Sequence, residues 1–248
     1  MITLKSEREI MLMQEAGKIL AECHKEIASR IKPGVTTLEI NSFVEEFLKK
    51  HNATPEQKGY KGYEYATCAS INDEICHGFP RNNPLSDGDI VTIDMVVNYK
   101  GGLADSAWTY AVGTVSEEVK KLMQVTETSL YKGIEQALVG NRLGDIGHAI
   151  QSYAEAEGFS VVRDFTGHGI GPTLHEEPQI LHFGNPGRGI RLREGMVITI
   201  EPMINQGVWG SKMDSNGWTA RTVDGKLSAQ YEHTLAISSN GPLILTKQ

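Results

Sequence analysis

Four acids sit inside otherwise apolar, β-rich runs: Asp94 in "DIVTIDMVV", Asp105 in "GLADSAWTYAV", Glu201 after "MVITI" and Glu232 in "LSAQYEHTLAI". Burying an unpaired carboxylate is costly, so an acid in such a run needs a proton, a partner or a cation. The runs around the first two flank "NYKGG", a turn-compatible sequence. If Asn98 and Gly101 close that turn, Asp94 falls directly opposite Asp105 on one face of a hairpin, with Cβ atoms about 5 Å apart. Two carboxylates at about 5 Å repel by roughly 3 kcal/mol at an effective dielectric of about 20. Either one is protonated or a cation lies between them. Two solvated aspartates on an exposed face form the competing reading. The second half weakens it, because Glu201 and Glu232 repeat the pattern, the latter after a hairpin expected on "VDGK" (223–226).

The histidines of "TGHGIGPTLHEEP" (166–178) bear on the same question. The glycines do not make a dinucleotide loop, since Gly171 comes too early and Pro172 fills the place of the third glycine. A helical H-E-x-x-H zinc motif from His175 fails as well, because Gln179 replaces the second histidine and Pro178 would break the helix. If either histidine binds metal, its partners come from elsewhere in the chain. Four acids plus His168, whose flanking glycines allow close backbone approach, make a divalent-metal constellation. Such a donor set suits Mn, Fe(II), Co or Zn, and two ions would balance four negative charges.

The elements that must carry these residues repeat. "LSDGDIVTIDMVV" (85–97) aligns with "LREGMVITIEPMI" (192–204) at an offset of 107, matching Asp94 to Glu201 and Asp87 to Glu194. "SEREIMLMQ" (6–14) resembles "SEEVKKLMQ" (116–124), and "GVTTLEINSFVEEF" (34–47) resembles "GNRLGDIGHAIQSY" (140–153). Helix starts are expected at Ser6 and Thr36, each with a glutamate three residues on, Glu9 and Glu39, to complete a capping box. Each half then reads helix, helix, strands. The expected fold is α+β, one domain over 1–248 made of pseudo-symmetric halves, about 1–112 and 113–248, around a central antiparallel sheet. A site at their junction draws on both.

The 248 residues, 40% hydrophobic, can bury a large core. A formal charge of −7 without any Lys/Arg run argues against nucleic-acid readout. Cys23, Cys68 and Cys76 are an odd number with no C-x-x-C pair, which fits a reducing compartment. Lys5, Glu7, Arg8 and Glu9 leave no room for a signal-peptide apolar region, and no long apolar run suggests a membrane span. A cytoplasmic location is expected. His24, His51 and His148 fall in amphipathic helical stretches and are expected at the surface, whereas His182 and His233 border the site segments.

Together, "NDEICHGFP", "IDMVVNYKGGLADSAWT", "GHGIGPTLHEEP", "ITIEPM" and "SAQYEHT" resemble, in order, the signatures of the methionine aminopeptidases of the M24 "pita-bread" metallopeptidases. The resemblance covers essentially the whole chain and is to the short bacterial type I form. It implies two divalent ions: Asp94 chelating one, Asp105 and Glu232 bridging both, His168 and Glu201 completing the other. Glu201 would shuttle the proton, His175 would stabilise the oxyanion and His77 would contact the substrate backbone. Tyr60, Tyr63, Cys68 and Trp218 would line the methionine pocket, with Leu174 where relatives often carry phenylalanine. A monovalent-cation site near Asn72, Glu74 and Ser228 is known in some relatives. The implied activity is removal of initiator methionine from nascent chains when the second residue is small. The implied setting is a monomer in transient contact with the ribosome near its exit tunnel. A non-catalytic binding module on the same fold is the rival class; a related dipeptidase is the third reading.

Overall fold

The computed structural model describes residues 2–248. Helix α1 (Glu7–Arg30) and helix α2 (Thr37–Lys50) open the first half, both entered through the expected capping boxes. Ser6 accepts from the Glu9 N–H, and the Glu9 carboxylate accepts from the Ser6 N–H at 2.7 Å. Thr36 and Glu39 repeat the exchange. These exchanges satisfy backbone donors that the first turn of a helix leaves without partners.

The strands Ile90–Tyr99 and Gly102–Ala111 follow as an antiparallel hairpin. Its pairing is shifted by two residues from the sequence expectation. Tyr99 pairs with Gly102, and Lys100 and Gly101 form the loop, both at positive φ (52° and 86°). A two-residue loop of that hand matches the right-handed twist of the strands, so it displaces the turn closed by Asn98 and Gly101. In consequence Asp94 faces Ala107 and Asp105 faces Val96. The two aspartates remain on one face, as diagonal rather than opposed neighbours. The other face, with Ile93, Met95, Val97 and Ala104, packs on Leu20 and Ile27 of α1 and Ile40 of α2.

The second half begins with α3 (Glu117–Glu135) and α4 (Leu143–Ala156). Their apolar faces, among them Leu122, Leu130, Ile146 and Ile150, cover Ile198 and Leu235 of the sheet. Here each hairpin arm is broken. Val197–Ile200 pairs with His233–Ser238, and Met203–Asn205 pairs with Ser228–Gln230. One register holds on each side of the break, His233 against Ile200 and Gln230 against Met203, so Glu201 and Glu232 come opposite each other within it. Pro202, which cannot donate to a ladder, follows Glu201 at the break.

The expected hairpin on 223–226 is not found. The segment turns, with the Thr222 hydroxyl donating to the Lys226 carbonyl at 2.8 Å, but its flanking strands join different sheets. Ala220–Thr222 pairs with Ser211–Met213 and Glu74–Cys76, whereas Ser228–Gln230 pairs with Met203–Asn205. Both flanks are buried where they pair, Ala220 and Thr222 on one side and Ala229 and Gln230 on the other.

The repeat is visible in detail. Gly88 and Gly195 sit at φ +94° and +84°, and the neighbouring Asp87 and Glu194 each accept a backbone N–H, from Thr114 and Ser239. The halves meet along Gly102–Ala111 and the segment 230–234. There the Glu232 N–H donates to the Ala107 carbonyl at 2.8 Å, and the Thr234 hydroxyl links to the Asp105 backbone. Asp105 and Glu232 therefore lie at the seam itself. Among the described residues, no helix is long and apolar enough to cross a membrane.

Candidate active site

At that seam the ligand atoms of Asp105, His168 and Glu232 lie within 4.8 Å of one another, and all three residues are buried. Asp94 and Glu201 line the same cavity. His168 comes from the short strand Gly167–Gly169, squeezed between two neighbours. A Cβ at Gly167 would lie 2.5 Å from the Thr199 carbonyl oxygen, and one at Gly169 would lie 2.3 Å from that of Glu177. The flanking glycines thus permit the close approach expected of them.

The His168 ring is oriented as a ligand needs to be. Its Nδ1–H donates to the Gly169 carbonyl at 2.9 Å, which turns Nε2 toward Asp105 Oδ2 and Glu201 Oε1, each at 3.6 Å. Thr199 connects two of the groups: its hydroxyl accepts from the His168 N–H at 3.0 Å and donates to Glu201 Oε1 at 2.8 Å. Gln230 donates to Glu201 Oε2 at 3.4 Å.

The charges of this cluster are out of balance. Burial, then the charges of Asp105 and Glu201, pushes the Asp94 carboxyl well above its usual range. Burial and the same neighbours do so for Glu232. Glu201 is raised to about 7 by burial, against the lowering effect of His168. Burial alone would lower His168, but the bond to Asp105 and the charges of Glu201 and Asp105 outweigh it and raise the imidazole to about 9. The cluster by itself gathers protons. Asp105 Oδ1 and Glu232 Oε1 are buried and have no hydrogen-bond partner. Two orphaned carboxylate oxygens beside a correctly aimed imidazole fit divalent cations, which replace those protons and supply the missing partners.

The cavity above the cluster is about 340 Å³. Its wall includes the four residues that the resemblance implied, Tyr60, Tyr63, Cys68 and Trp218, together with Leu174. Tyr63 meets Trp218 edge-on at 5.0 Å between ring centroids, and its hydroxyl donates toward the Thr67 and Gly78 carbonyls. Phe165, Cys76, Met203 and Gln57 also line the cavity and were not expected. Gln57 is the most informative of these: its Oε1 accepts the Val96 N–H at 2.7 Å, beside Asp94. No local pattern marks Gln57 or Thr199, since their task appears only when distant strands meet.

His77 and His175 both line the cavity. His77 is held at φ +55°, a conformation costly for a non-glycine residue and associated with functional sites. Burial lowers its pKa. His175 is lowered to about 4, by desolvation first and then by the His168 charge, and so is neutral at ordinary pH. Its Nδ1 lies 3.0 Å from the Tyr60 hydroxyl. With Tyr60 donating, the proton resides on Nε2.

Of the remaining histidines, one departs from expectation. His24 is fully buried, with Nδ1 2.7 Å from the Tyr110 hydroxyl and Nε2 3.2 Å from the Ser106 carbonyl oxygen. Its spacing from Leu20 and Ile27 places it on the apolar stripe of α1, the signal that identifies it as interior. His51 is half-buried and caps α2, while His148 is exposed. His182 accepts the Glu201 N–H at 3.1 Å through Nε2, and so touches the site from behind. His233 points the other way, toward Thr246 and Tyr131. Near Asn72, the carbonyl oxygen accepts the Ser228 N–H at 3.0 Å, and Glu74 is paired with Arg81 and Arg221.

Fold and site together define a metallopeptidase: residues 11–239 match the model described as "Metallopeptidase family M24", and the chain belongs to that family. Its full-length relatives place it among the methionine aminopeptidases. It is 53% identical over 246 residues to the methionine aminopeptidase of Clostridium perfringens, with 99% of each chain covered. It is 50% identical to methionine aminopeptidase 1 of Bacillus subtilis over the whole of both chains. It superposes on the crystal structure of methionine aminopeptidase from Rickettsia prowazekii with a TM-score of 0.98, at 46% identity and with both chains fully covered. Family membership carries with it divalent-metal binding and peptide hydrolysis.

Proposed function

We propose that this protein removes the initiator methionine from newly made polypeptides whose second residue is small. The observation that carries the reading is the buried acid–imidazole cluster beneath a cavity walled by aromatic rings and two thiols. Such a wall suits a thioether side chain, and the cluster beneath it suits the free amine and the first peptide bond.

Asp94, Asp105, His168, Glu201 and Glu232 would hold two divalent ions drawn from Mn, Fe(II), Co and Zn. The ions would supply Lewis acidity to the scissile carbonyl and to the water that attacks it. Glu201, steadied by Thr199 and Gln230, takes a proton from that water and delivers it to the leaving amine. His175 presents a neutral Nε2–H to the carbonyl oxygen as negative charge develops there. His77, fixed by its backbone conformation, contacts the substrate main chain. The two histidines line the cavity, and crowding by their rings would favour glycine, alanine or serine after the methionine. We place the enzyme in the cytoplasm as a single-domain monomer that meets nascent chains near the ribosomal exit tunnel. A monovalent cation near Asn72, Glu74 and Ser228 would rely on backbone carbonyls, because Glu74 is paired with two arginines.

The deciding experiment incubates the protein and Mn(II) with Met-Ala-Ser and with its N-acetylated form. Free methionine released from the first alone is the expected result. Release from both, or from neither, would refute the aminopeptidase reading. Met-Gly, Met-Ala and Met-Ser peptides should also exceed Met-Leu and Met-Lys peptides in kcat/KM by tens-fold or more, as about 2 kcal/mol of steric discrimination requires.

A further inference from the structure

Near the N-terminus, Lys5 buries its ammonium against Glu176, the residue that follows His175. Its side chain is only 3% exposed, and its N–H donates to the Gly195 carbonyl at 2.7 Å. Nζ reaches Glu176 Oε2 and the Thr3 hydroxyl, both at 2.5 Å, and Thr3 donates to the same carboxylate oxygen at 2.8 Å. The other oxygen, Oε1, faces the Thr173 N–H and hydroxyl at 3.4 Å. The Gly171 N–H closes the turn on the Thr173 carbonyl at 3.2 Å. His175 stands between Thr173 and Glu176 and so rides on this turn.

We propose that Lys5 is a positioning residue for His175. The ion pair fixes the C-terminal end of the turn 171–176, beyond the buried Leu174, to the body of the protein and thereby aims the imidazole into the cavity. Gly171 accounts for how the anchor fits, since a Cβ there would lie 2.4 Å from Lys5 Cε and 2.7 Å from Glu176 Oε1. The last glycine of "GHGIG" therefore gives clearance for the lysine, whereas the first two give clearance for the sheet. A buried charge pair is a poor source of net stability compared with apolar packing of the same volume. It is a directional tether, and the group next to its acceptor needs direction. On the far side, the aimed ring lies 4.3 Å from His168 and 5.3 Å from Tyr60 between centroids.

The proposal rests on the role given above to His175, so its test separates the two. Lys5→Met alone would leave the partly buried Glu176 carboxylate without its cation, so the informative variant is Lys5→Met with Glu176→Gln, which removes both charges. Ring-to-ring NMR contacts between Tyr60 and His175 are measured in EDTA, and kcat and KM are measured for Met-Ala-Ser with Mn(II). The Tyr60–His175 contact should vanish from a protein that still melts cooperatively. kcat should fall by about 10- to 100-fold with KM nearly unchanged, the size of effect that misplacing a reacting group produces. Lys5→Arg, which restores the tether, should recover both readouts. A double variant with the ring contact and kcat of wild type overturns the proposal. Loss of the ring contact without loss of kcat would overturn the role of His175 instead, and His175→Ala with undiminished kcat would confirm that assignment of the failure.

Discussion

Replacing Asp94 by asparagine tests the charge balance of the site directly. Asp94 and Asp105 are diagonal neighbours on one hairpin face, a placement with Cβ atoms about 7 Å apart from which the two carboxyls reach hydrogen-bonding distance. At an effective dielectric of about 20, an ionised neighbour even about 7 Å away costs about 2 kcal/mol. The sign follows from the direction of the shift. The folded-state pKa of Asp94 is raised above its ordinary 3.8. Its contribution to stability is therefore complete below about pH 3.8 and is lost as pH rises through the folded value. At pH 7.5 the metal-free protein either ionises this carboxyl against its neighbours or holds a proton that the unfolded chain would release. Both are unfavourable. Asparagine removes the charge, and its amide can donate to Asp105, which lies within hydrogen-bonding reach of the native side chain. In EDTA at pH 7.5, Asp94→Asn should match or exceed wild type, by up to about 2 kcal/mol, or about 4–8 °C in a chain of this size. At pH 4 the difference should shrink. Adding Mn(II) or Co(II) reverses the order, because ions that bind only the folded site stabilise it by about 2.7 kcal/mol at a hundredfold excess over Kd, and the variant has lost a ligand. Differential scanning calorimetry at the two pH values, with and without metal, reads all four states. A metal-free variant that melts well below metal-free wild type at pH 7.5 would mean that Asp94 makes a structural hydrogen bond, and the repulsion account would fail.

Three further expectations follow from the geometry. His175→Ala should lower kcat by about 10²-fold or more while leaving metal affinity largely intact, whereas His168→Ala should weaken metal binding itself; equal losses by titration calorimetry would contradict this division. Thr199→Val removes the hydroxyl that joins the His168 backbone to Glu201, so it should cost about 1–3 kcal/mol of stability and slow turnover even at saturating metal. Wild-type kcat at saturating metal would show that neither group needs the bond. Finally, the His175 pKa of about 4 lies below its ordinary 6.5, so its neutral form is present above 6.5 and is lost only as pH falls through about 4. The acid limb of kcat between pH 5 and 7 should then keep its shape in His175→Ala, and its disappearance would assign that limb to His175.

Much of this site is legible along the chain because its causes are local. An acid in a buried strand is anomalous wherever the strand goes, so Asp94, Asp105, Glu201 and Glu232 stand out before any partner is known. The capping boxes at Ser6 and Thr36 need only three residues each, and the internal repeat predicts that the acids converge. The hairpin register was misread because it depends on which two residues adopt positive φ, a choice settled by strand twist rather than by composition. The hairpin expected on 223–226 fails for a related reason: a turn sequence specifies that the chain bends, not which strand it joins. His24 could have been placed in the interior from its stripe on α1. Thr199, Gln57 and Lys5 could not, because each acts on a group brought close only by the packed sheets. Threonine, glutamine and lysine carry no sign of function in isolation, and the hydrogen bonds that give them one span up to 171 residues of sequence. Residue chemistry is a local property and was readable from the chain; orientation depends on distances across the seam between the halves, and those exist only once both halves have folded.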